Sequence, residues 1–258
     1  MSIDFHAEKN KYTYASRSAD GDWARAVAGI VDPAGKRVAD VGCGGGIYAL
    51  EWAGLGAGHV TGVDFSEQMV AAAREKAQGR SNLAFRVGSA EATGLPPASV
   101  DVVFERALIH HLSDYEPCFN EAYRLLAAGG TFLIQDRTPD DVRVPGSPEH
   151  IRGYFFDRFP RLLEVEAGRR PADGRVREAL RQAGFTTVET RVFWETRKTY
   201  ARFDQLAQDL SQRTGRSILH ELSDSELQSL IDFIGERTGR AEPVTEKDRW
   251  TLWTAKKL

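Results

Sequence analysis

Cysteine is scarce in this chain of 258 residues: there are two, Cys43 and Cys118. One lies inside a run of glycines, so no disulfide framework is expected, and a reducing compartment is. Long apolar runs are also missing, and none reaches the roughly 20 residues that cross a bilayer. The first residues, Met1-Ser2-Ile3-Asp4-Phe5-His6, have no basic region leading into an apolar core. No membrane association is therefore expected, and a cytoplasmic location is. Basic residues do not form a stripe: 34 lysines and arginines stand against 37 acids, for a net charge of −3. That balance gives no groove for nucleic acid. Arg169-Arg170 and Lys256-Lys257 read as isolated, solvated pairs. There is no internal repeat and no low-complexity tract. What remains is a hydrophobic content of 41%, enough to bury a full core as one domain, with or without a cap.

The organising stretch is Lys36-Arg37-Val38-Ala39-Asp40-Val41-Gly42-Cys43-Gly44-Gly45-Gly46-Ile47. A short apolar strand carries an acid at its end, turns through glycines and opens into a helical pattern. Glycines at 42, 44 and 46 allow a tight turn and let backbone approach a ligand closely, and the amides beyond them face outward at a helix start. The dinucleotide fingerprint G-x-G-x-x-G/A would place its third glycine at Ile47, where a bulky side chain stands. A plain tight turn is the alternative reading of such a loop taken alone. The spacing Asp40-x-Gly42-x-Gly44-x-Gly46 resembles motif I of the class I S-adenosylmethionine-dependent methyltransferases, of the small-molecule UbiE/YcgJ-like type. That ligand carries an ammonium, a carboxylate and a sulfonium, so an acid at the strand end has a cation to meet.

Along the chain, Trp23 to Val31 has helical spacing and is broken by Asp32-Pro33-Ala34-Gly35. Strands are expected at 37–41, 59–63, 82–87, 100–104, 131–135, 186–194 and 249–254. Helices are expected at 47–55, from a Ser66 cap to about Gln78, from a Ser113-x-x-Glu116 box to about Ala128, and at 174–183. Nearly continuous apolar strands alternating with helices indicate a parallel sheet covered on both faces. Two stretches depart from this rhythm. One holds three prolines before Ile151 and the aromatics Tyr154, Phe155, Phe156 and Phe159, which read mostly as core. The other is helical, with a capping box at Ser223–Glu226.

With the resemblance, this element order implies an α/β fold: a Rossmann-like, doubly wound, mostly parallel seven-stranded sheet with an antiparallel last strand and helical cap insertions. The expected organisation is one domain, 1–258. Its core is 24–138, 172–196 and 244–258, its substrate-cap insertions are about 139–171 and 197–243, and an N-terminal lid segment occupies 1–23.

The resemblance also implies a site for S-adenosylmethionine, with S-adenosylhomocysteine as product. Asp40, Gly42, Cys43, Gly44 and Gly46 form its loop. Asp64, eighteen residues past Gly46, is expected to accept from the ribose hydroxyls, as an acid about 20 residues on does in dinucleotide folds. Its other reading is an acid ahead of the Ser66 helix, compatible with the first. Phe65 and Met69 would flank the adenine, though Met69 equally suits the core. Gly88-Ser89-Ala90-Glu91 matches a segment that usually reads Gly-Asp-Ala-Glu. Ser89 lacks the acid that would accept from the adenine amino group, so that contact passes to backbone or to Glu91, while the Ala90 amide can still donate.

Glu105 and Arg106 are expected to contact cofactor or substrate, or to pair with each other. His111 and His110 are candidate general bases, at least one of them otherwise shaping the loop. Tyr14 and Arg17 would reach the cofactor carboxylate from the N-terminal segment, unless that segment is a plain tail. Trp194-Glu195-Thr196-Arg197, with the aromatic cluster, would line an acceptor pocket or belong to the core.

No motif for methylating base amines is present. Pro117-Cys118 falls in the first turns of a capped helix and reads as structural, and Asp136 with Asp140 and Asp141 does not make a metal site. The expected reaction is in-line displacement of a sulfonium methyl by a small-molecule acceptor, in a monomer or homodimer, where the protein supplies alignment and excludes water. A non-catalytic S-adenosylmethionine-binding sensor or scaffold, and a nicotinamide-dependent oxidoreductase, are the alternatives.

Overall fold

The structure, a computed structural model, describes residues 21–213, 215–239 and 243–258. Its elements are α1 (Gly21–Ala28), β1 (Arg37–Val41), α2 (Ile47–Gly54), β2 (His59–Asp64), α3 (Glu67–Lys76), β3 (Leu83–Val87), β4 (Val100–Arg106), α4 (Glu116–Leu125), β5 (Leu126–Asp136), α5 (Pro139–Val142), α6 (Ile151–Arg158), α7 (Arg161–Gly168), α8 (Asp173–Gln182), β6 (Thr186–Tyr200), α9 (Phe203–Ser211), α10 (Asp224–Thr238) and β7 (Val244–Lys256). The strands form one seven-stranded sheet in the order β3-β2-β1-β4-β5-β7-β6. β1 through β5 pair in parallel, and β7 runs antiparallel to β5. The order reverses between β1 and β4, which opens a crevice at the carboxyl ends of those strands.

The chain divides into two compact units. The first holds the described residues up to Asp136 together with Pro171–Phe193 and Thr251–Leu258. Its strand residues alternate between two apolar layers. Val38, Phe104 and Leu133 pack with Trp23, Trp52 and Val70 from α1, α2 and α3, while Ala39, Val41, Val103 and Ile134 pack with Phe119 and Leu180 from α4 and α8. Trp23, Trp52 and Phe104 meet edge to face with centroids 5.5–5.8 Å apart, a geometry that adds roughly 0.5–1.5 kcal/mol per pair to burial.

The second unit is Arg137–Arg170 with Trp194–Trp250. Tyr154, Phe155 and Phe156 of α6 lie in its core with Leu206, Leu230 and Ile234 of α9 and α10. The Ser223 capping box closes with both of its hydrogen bonds. Ions are buried here too. Asp248 accepts from Arg137 at 2.7 Å and from Arg152 at 3.1 Å, Glu166 pairs with Arg170, and Glu246 accepts from Arg216 at 2.6 Å.

Several local expectations are corrected. α4 ends at Leu125 rather than near Ala128, because Leu126 pairs with Val100 and the strand begins there. Gly129, at φ 77°, belongs to the register shift that follows in β5 and does not stop a helix. The Ser113 box does not form; Asp114 accepts from the Glu116 amide instead. β6 and β7 run longer than 186–194 and 249–254, since Arg197 is matched by Glu246 at 3.3 Å and so continues a strand that its charge disguised. Arg170 is not solvated: its guanidinium is buried against Glu166. Lys257 Nζ is held by the carbonyls of Tyr123 and Leu126. Tyr14 and Arg17 lie outside the described residues.

Candidate active site

The glycine turn folds back on β2, with the Gly42 and Cys43 amides donating to the Val63 carbonyl at 2.7 and 3.0 Å. Gly42 has φ 73°, and a Cβ there would stand 2.2 Å from a Leu108 methyl. Glycine alone fits that approach. Gly44 differs, because a Cβ on it would meet open space. Its amide donates to Asp64 Oδ2 at 2.9 Å, while Ser66 N–H donates to Oδ1 at 2.9 Å. Asp64 is thus a carboxylate that accepts a backbone amide on each of its oxygens. Ser66 Oγ in turn accepts from the Met69 amide and starts α3.

Asp40 sits differently. It is 2% exposed, its Oδ2 has no hydrogen-bond partner among the described residues, and the Ala49 amide in the first turn of α2 acts on it as a donor. Burial first, and then the negative charge of Asp64, push its carboxyl up to about 7, against the pull of the Ala49 amide and Arg106. Arg106 lies over the Tyr48 ring at 4.4 Å. The neighbouring Cys43 thiol is driven well above its ordinary range by burial and by Asp40 and Asp64, so it is not a nucleophile.

β4 sends its last two side chains to opposite faces, as alternation requires. Glu105 and Arg106 therefore do not pair. Glu105 is buried and accepts from Cys118 Sγ at 3.2 Å. Burial raises its carboxyl to about 8, and Asp136 adds to the effect while Cys118 opposes it. Cys118 itself is raised, chiefly by burial, which makes it the structural residue expected. Ala107 then takes φ 51°, a conformation that costs a non-glycine residue roughly 1–2 kcal/mol, and its amide donates to Gln135 at 2.8 Å.

That turn carries Ile109–His111, a single 3₁₀ turn, over the end of β5. His110 Nδ1 lies 2.8 and 3.0 Å from the two oxygens of Asp136, and its own amide donates to Oδ2 at 3.3 Å. A carboxylate can only accept, so Nδ1 carries a proton, and in the neutral imidazole the lone pair is then on Nε2. His111 is exposed, its ring 4.0 Å from that of His110.

A methyltransferase-domain family model matches residues 39–134, which covers β1 through most of β5. The ubiquinone/menaquinone biosynthesis C-methyltransferase UbiE of Methylobacterium nodulans is 31% identical over 190 residues, 66% of this chain and 75% of that protein. The chain belongs to the class I S-adenosylmethionine-dependent methyltransferases. Phosphoethanolamine N-methyltransferase 1 of Arabidopsis thaliana is 29% identical over 86% of this chain, and the chain spans 42% of that protein's length. The Haemonchus contortus phosphoethanolamine N-methyltransferase 2, solved with S-adenosyl-L-methionine, shares the fold at a TM-score of 0.60 and 19% identity, over 99% of this chain and 60% of that one.

In this methyltransferase chain the glycine loop draws Asp40, Gly42, Cys43, Gly44, Gly46 and Asp64 together. Phe65 stands beside them, 52% exposed, whereas Met69 is buried in α3. Ser89 uses its hydroxyl to accept from the Ala92 amide, Ala90 packs against the apolar layer of α4 and α8, and Glu91 is exposed. Sequence reading missed the clamp of Asp136 on His110 and the ring of Tyr48 under Arg106. The signal for the first was present. The strand run Thr131–Gln135 ends in an acid at 136, just as the first two strands bring acids to the loop at 40 and 64.

Proposed function

We propose that this chain transfers the methyl group of S-adenosylmethionine to a small-molecule acceptor. The observation that carries this reading is the contrast between two neighbouring carboxylates. Asp64 is anchored by the amides of Gly44 and Ser66, and Asp40 is buried with one oxygen lacking a donor among the described residues. A polar atom left so is costly unless a ligand completes it. An ammonium does so, and a Cβ on Gly44 would meet no described atom within 4 Å, so a ligand can approach the loop backbone there. The residues present therefore fit the cofactor. Asp40 would hold its ammonium and Asp64 its ribose hydroxyls, with Phe65 against the adenine and Arg106 offering its guanidinium to the carboxylate.

When bound, S-adenosylmethionine supplies a methyl group on a positively charged sulfur, already activated for displacement. The chain's own contribution is alignment and proton management. His110, its Nδ1–H committed to Asp136, presents Nε2 to the proton of the acceptor's nucleophilic atom and keeps that proton as imidazolium beside the Asp136 carboxylate. His110, rather than the exposed His111, is thereby the base. The names of the relatives point to small acceptors, phosphoethanolamine for the Arabidopsis enzyme and a step of ubiquinone/menaquinone biosynthesis for the bacterial one. The chain's net charge of −3 fits a small acceptor in preference to nucleic acid. Two buried, unpaired thiols suit a cytoplasmic setting.

Thermal stabilisation by S-adenosylhomocysteine, and not by NAD, is the expected result. Asp40→Ala and Asp64→Ala should each weaken that binding by about tenfold or more, in keeping with about 1.5–3 kcal/mol for a hydrogen bond to a charged group. Stabilisation by NAD alone would overturn the reading. Tight S-adenosylmethionine binding without transfer to a panel of amino alcohol phosphates, phenols and quinols would leave a sensor in its place.

A further inference from the structure

The two carboxylates of the glycine loop are unequal in one more respect. Asp64 spends both oxygens on backbone amides at 2.9 Å, an arrangement that favours its charged form. Asp40 has the Ala49 amide and, among the described residues, an oxygen with no donor, while it is only 2% exposed. Two like charges so close in low dielectric cannot both stand without compensation. Among the described residues, the groups that act on Asp40 are Asp64 from β2, Arg106 from β4 and the Ala49 amide from α2, with the Cys43 thiol of the loop beside it. Arg106 is the one cation among the described residues that act on Asp40, and its guanidinium is drawn over the Tyr48 ring.

We propose that this site takes up its ligand by exchanging a proton for an ammonium: Asp40 is protonated in the free protein, and entry of the cofactor's amino-acid end expels that proton to solvent. The inference rests on the cofactor reading above and adds to it a direction and a stoichiometry. Before binding, the O–H of Asp40 neutralises the acid pair. After binding, the ligand's –NH₃⁺ does so, one O–H bond being broken and one proton leaving, with no redox change. The raised position of Asp40, about 7, agrees with this and sets the range over which the exchange is felt.

The consequence is a site that weakens on mild acidification, and only towards ligands that bring a cation. Below the Asp40 titration, binding must displace a bound proton, and affinity falls about tenfold per pH unit for a fully coupled group. S-adenosylhomocysteine should therefore bind roughly tenfold more weakly at pH 5.5 than at pH 7. 5′-Methylthioadenosine shares its adenine, ribose and thioether but lacks the ammonium, and should show no such change.

The test is isothermal titration calorimetry of the wild-type chain with both nucleosides at pH 5.5, 6 and 7, each in two buffers of different ionisation enthalpy. Release of about one proton per S-adenosylhomocysteine bound at pH 5.5–6, with none for 5′-methylthioadenosine, is the expected outcome. Asp40→Asn, which cannot ionise, should bind S-adenosylhomocysteine with a pH-independent affinity. Binding of S-adenosylhomocysteine without proton release, or equal pH dependence for the two nucleosides, overturns the inference and leaves the cofactor reading standing. Binding of neither overturns both.

Discussion

A neutral imidazole acts as a base through its unprotonated nitrogen, and a partner on the other nitrogen fixes which one that is. Asp136 is that partner for His110, through both carboxylate oxygens, and it also accepts from the backbone amide. His110→Ala should lower kcat by about 10²–10⁴, the usual worth of a general base, with the Kd for S-adenosylhomocysteine unchanged. Asp136→Asn should lower kcat as well and reshape its pH profile, because a carboxamide can present N–H to Nδ1 and favour the wrong tautomer. His111→Ala should stay within a few fold of wild type. Steady-state kinetics across pH on the three variants checks the set, and a His110→Ala enzyme with an unaltered rate would reduce the histidine to shaping its turn. The two histidines are indistinguishable as neighbours in a string of letters. What separates them is a contact across 26 positions of chain, which spacing does not disclose.

At the scale of elements, the glycine loop contains two residues of similar backbone and opposite surroundings. Gly42 and Gly44 both have positive φ, yet a methyl on Gly42 would strike Leu108 and one on Gly44 would meet nothing. Gly42→Ala should displace the turn that carries His110 and cost about 1–3 kcal/mol of stability, as overpacking does. Gly44→Ala should cost only its backbone strain, roughly 1–2 kcal/mol, while filling the space that the nucleoside requires, so binding fails in a folded protein. Urea melts paired with S-adenosylhomocysteine titrations decide this. Equal losses of stability and affinity in both variants would show that the loop acts as one rigid piece. The strands β1 to β4 were legible because local periodicity and turn residues mark them. β5 started earlier than expected because Leu126, Ala127 and Ala128 favour helix in isolation, while Leu126 has a partner in Val100.

Across the whole molecule, the two compact units should respond to pH in opposite directions. Asp40 and Glu105, in the sheet unit, are raised to about 7 and 8. Folding holds their protons more tightly than the unfolded chain does. Their contribution to stability is thus fully present below pH ~4 and is lost as pH climbs through 7 and 8, by about 1.4 kcal/mol per pH unit for each group in between. Glu166, in the other unit, is held down to about 2: Arg170 and Arg152 outweigh the opposing effect of its burial. Asp248, between Arg137 and Arg152, is depressed too. Their contribution is present above pH ~4.5 and disappears as pH falls towards 2. Urea unfolding at pH 3.5, 6 and 8, followed by a hydrogen-exchange pulse at one fixed pH and peptide mass spectrometry, should show α6 and α10 protected least at the acid end. β1 and β4 should lose protection towards the alkaline end. Parallel behaviour of both sets of peptides would refute it.

The order of strands and helices, the glycine turn and the acids at 40 and 64 follow from the amino-acid sequence alone, since each depends on residues within a few positions of one another and on spacing that a strand or turn imposes. Tertiary structure decided which of those acids is buried with an unmet oxygen, which histidine is clamped, and that Arg170 and Lys257 are held by Glu166 and by carbonyls instead of being solvated. Desolvation and ion pairing are set by whatever packs alongside from distant parts of the chain, and no local pattern encodes that company.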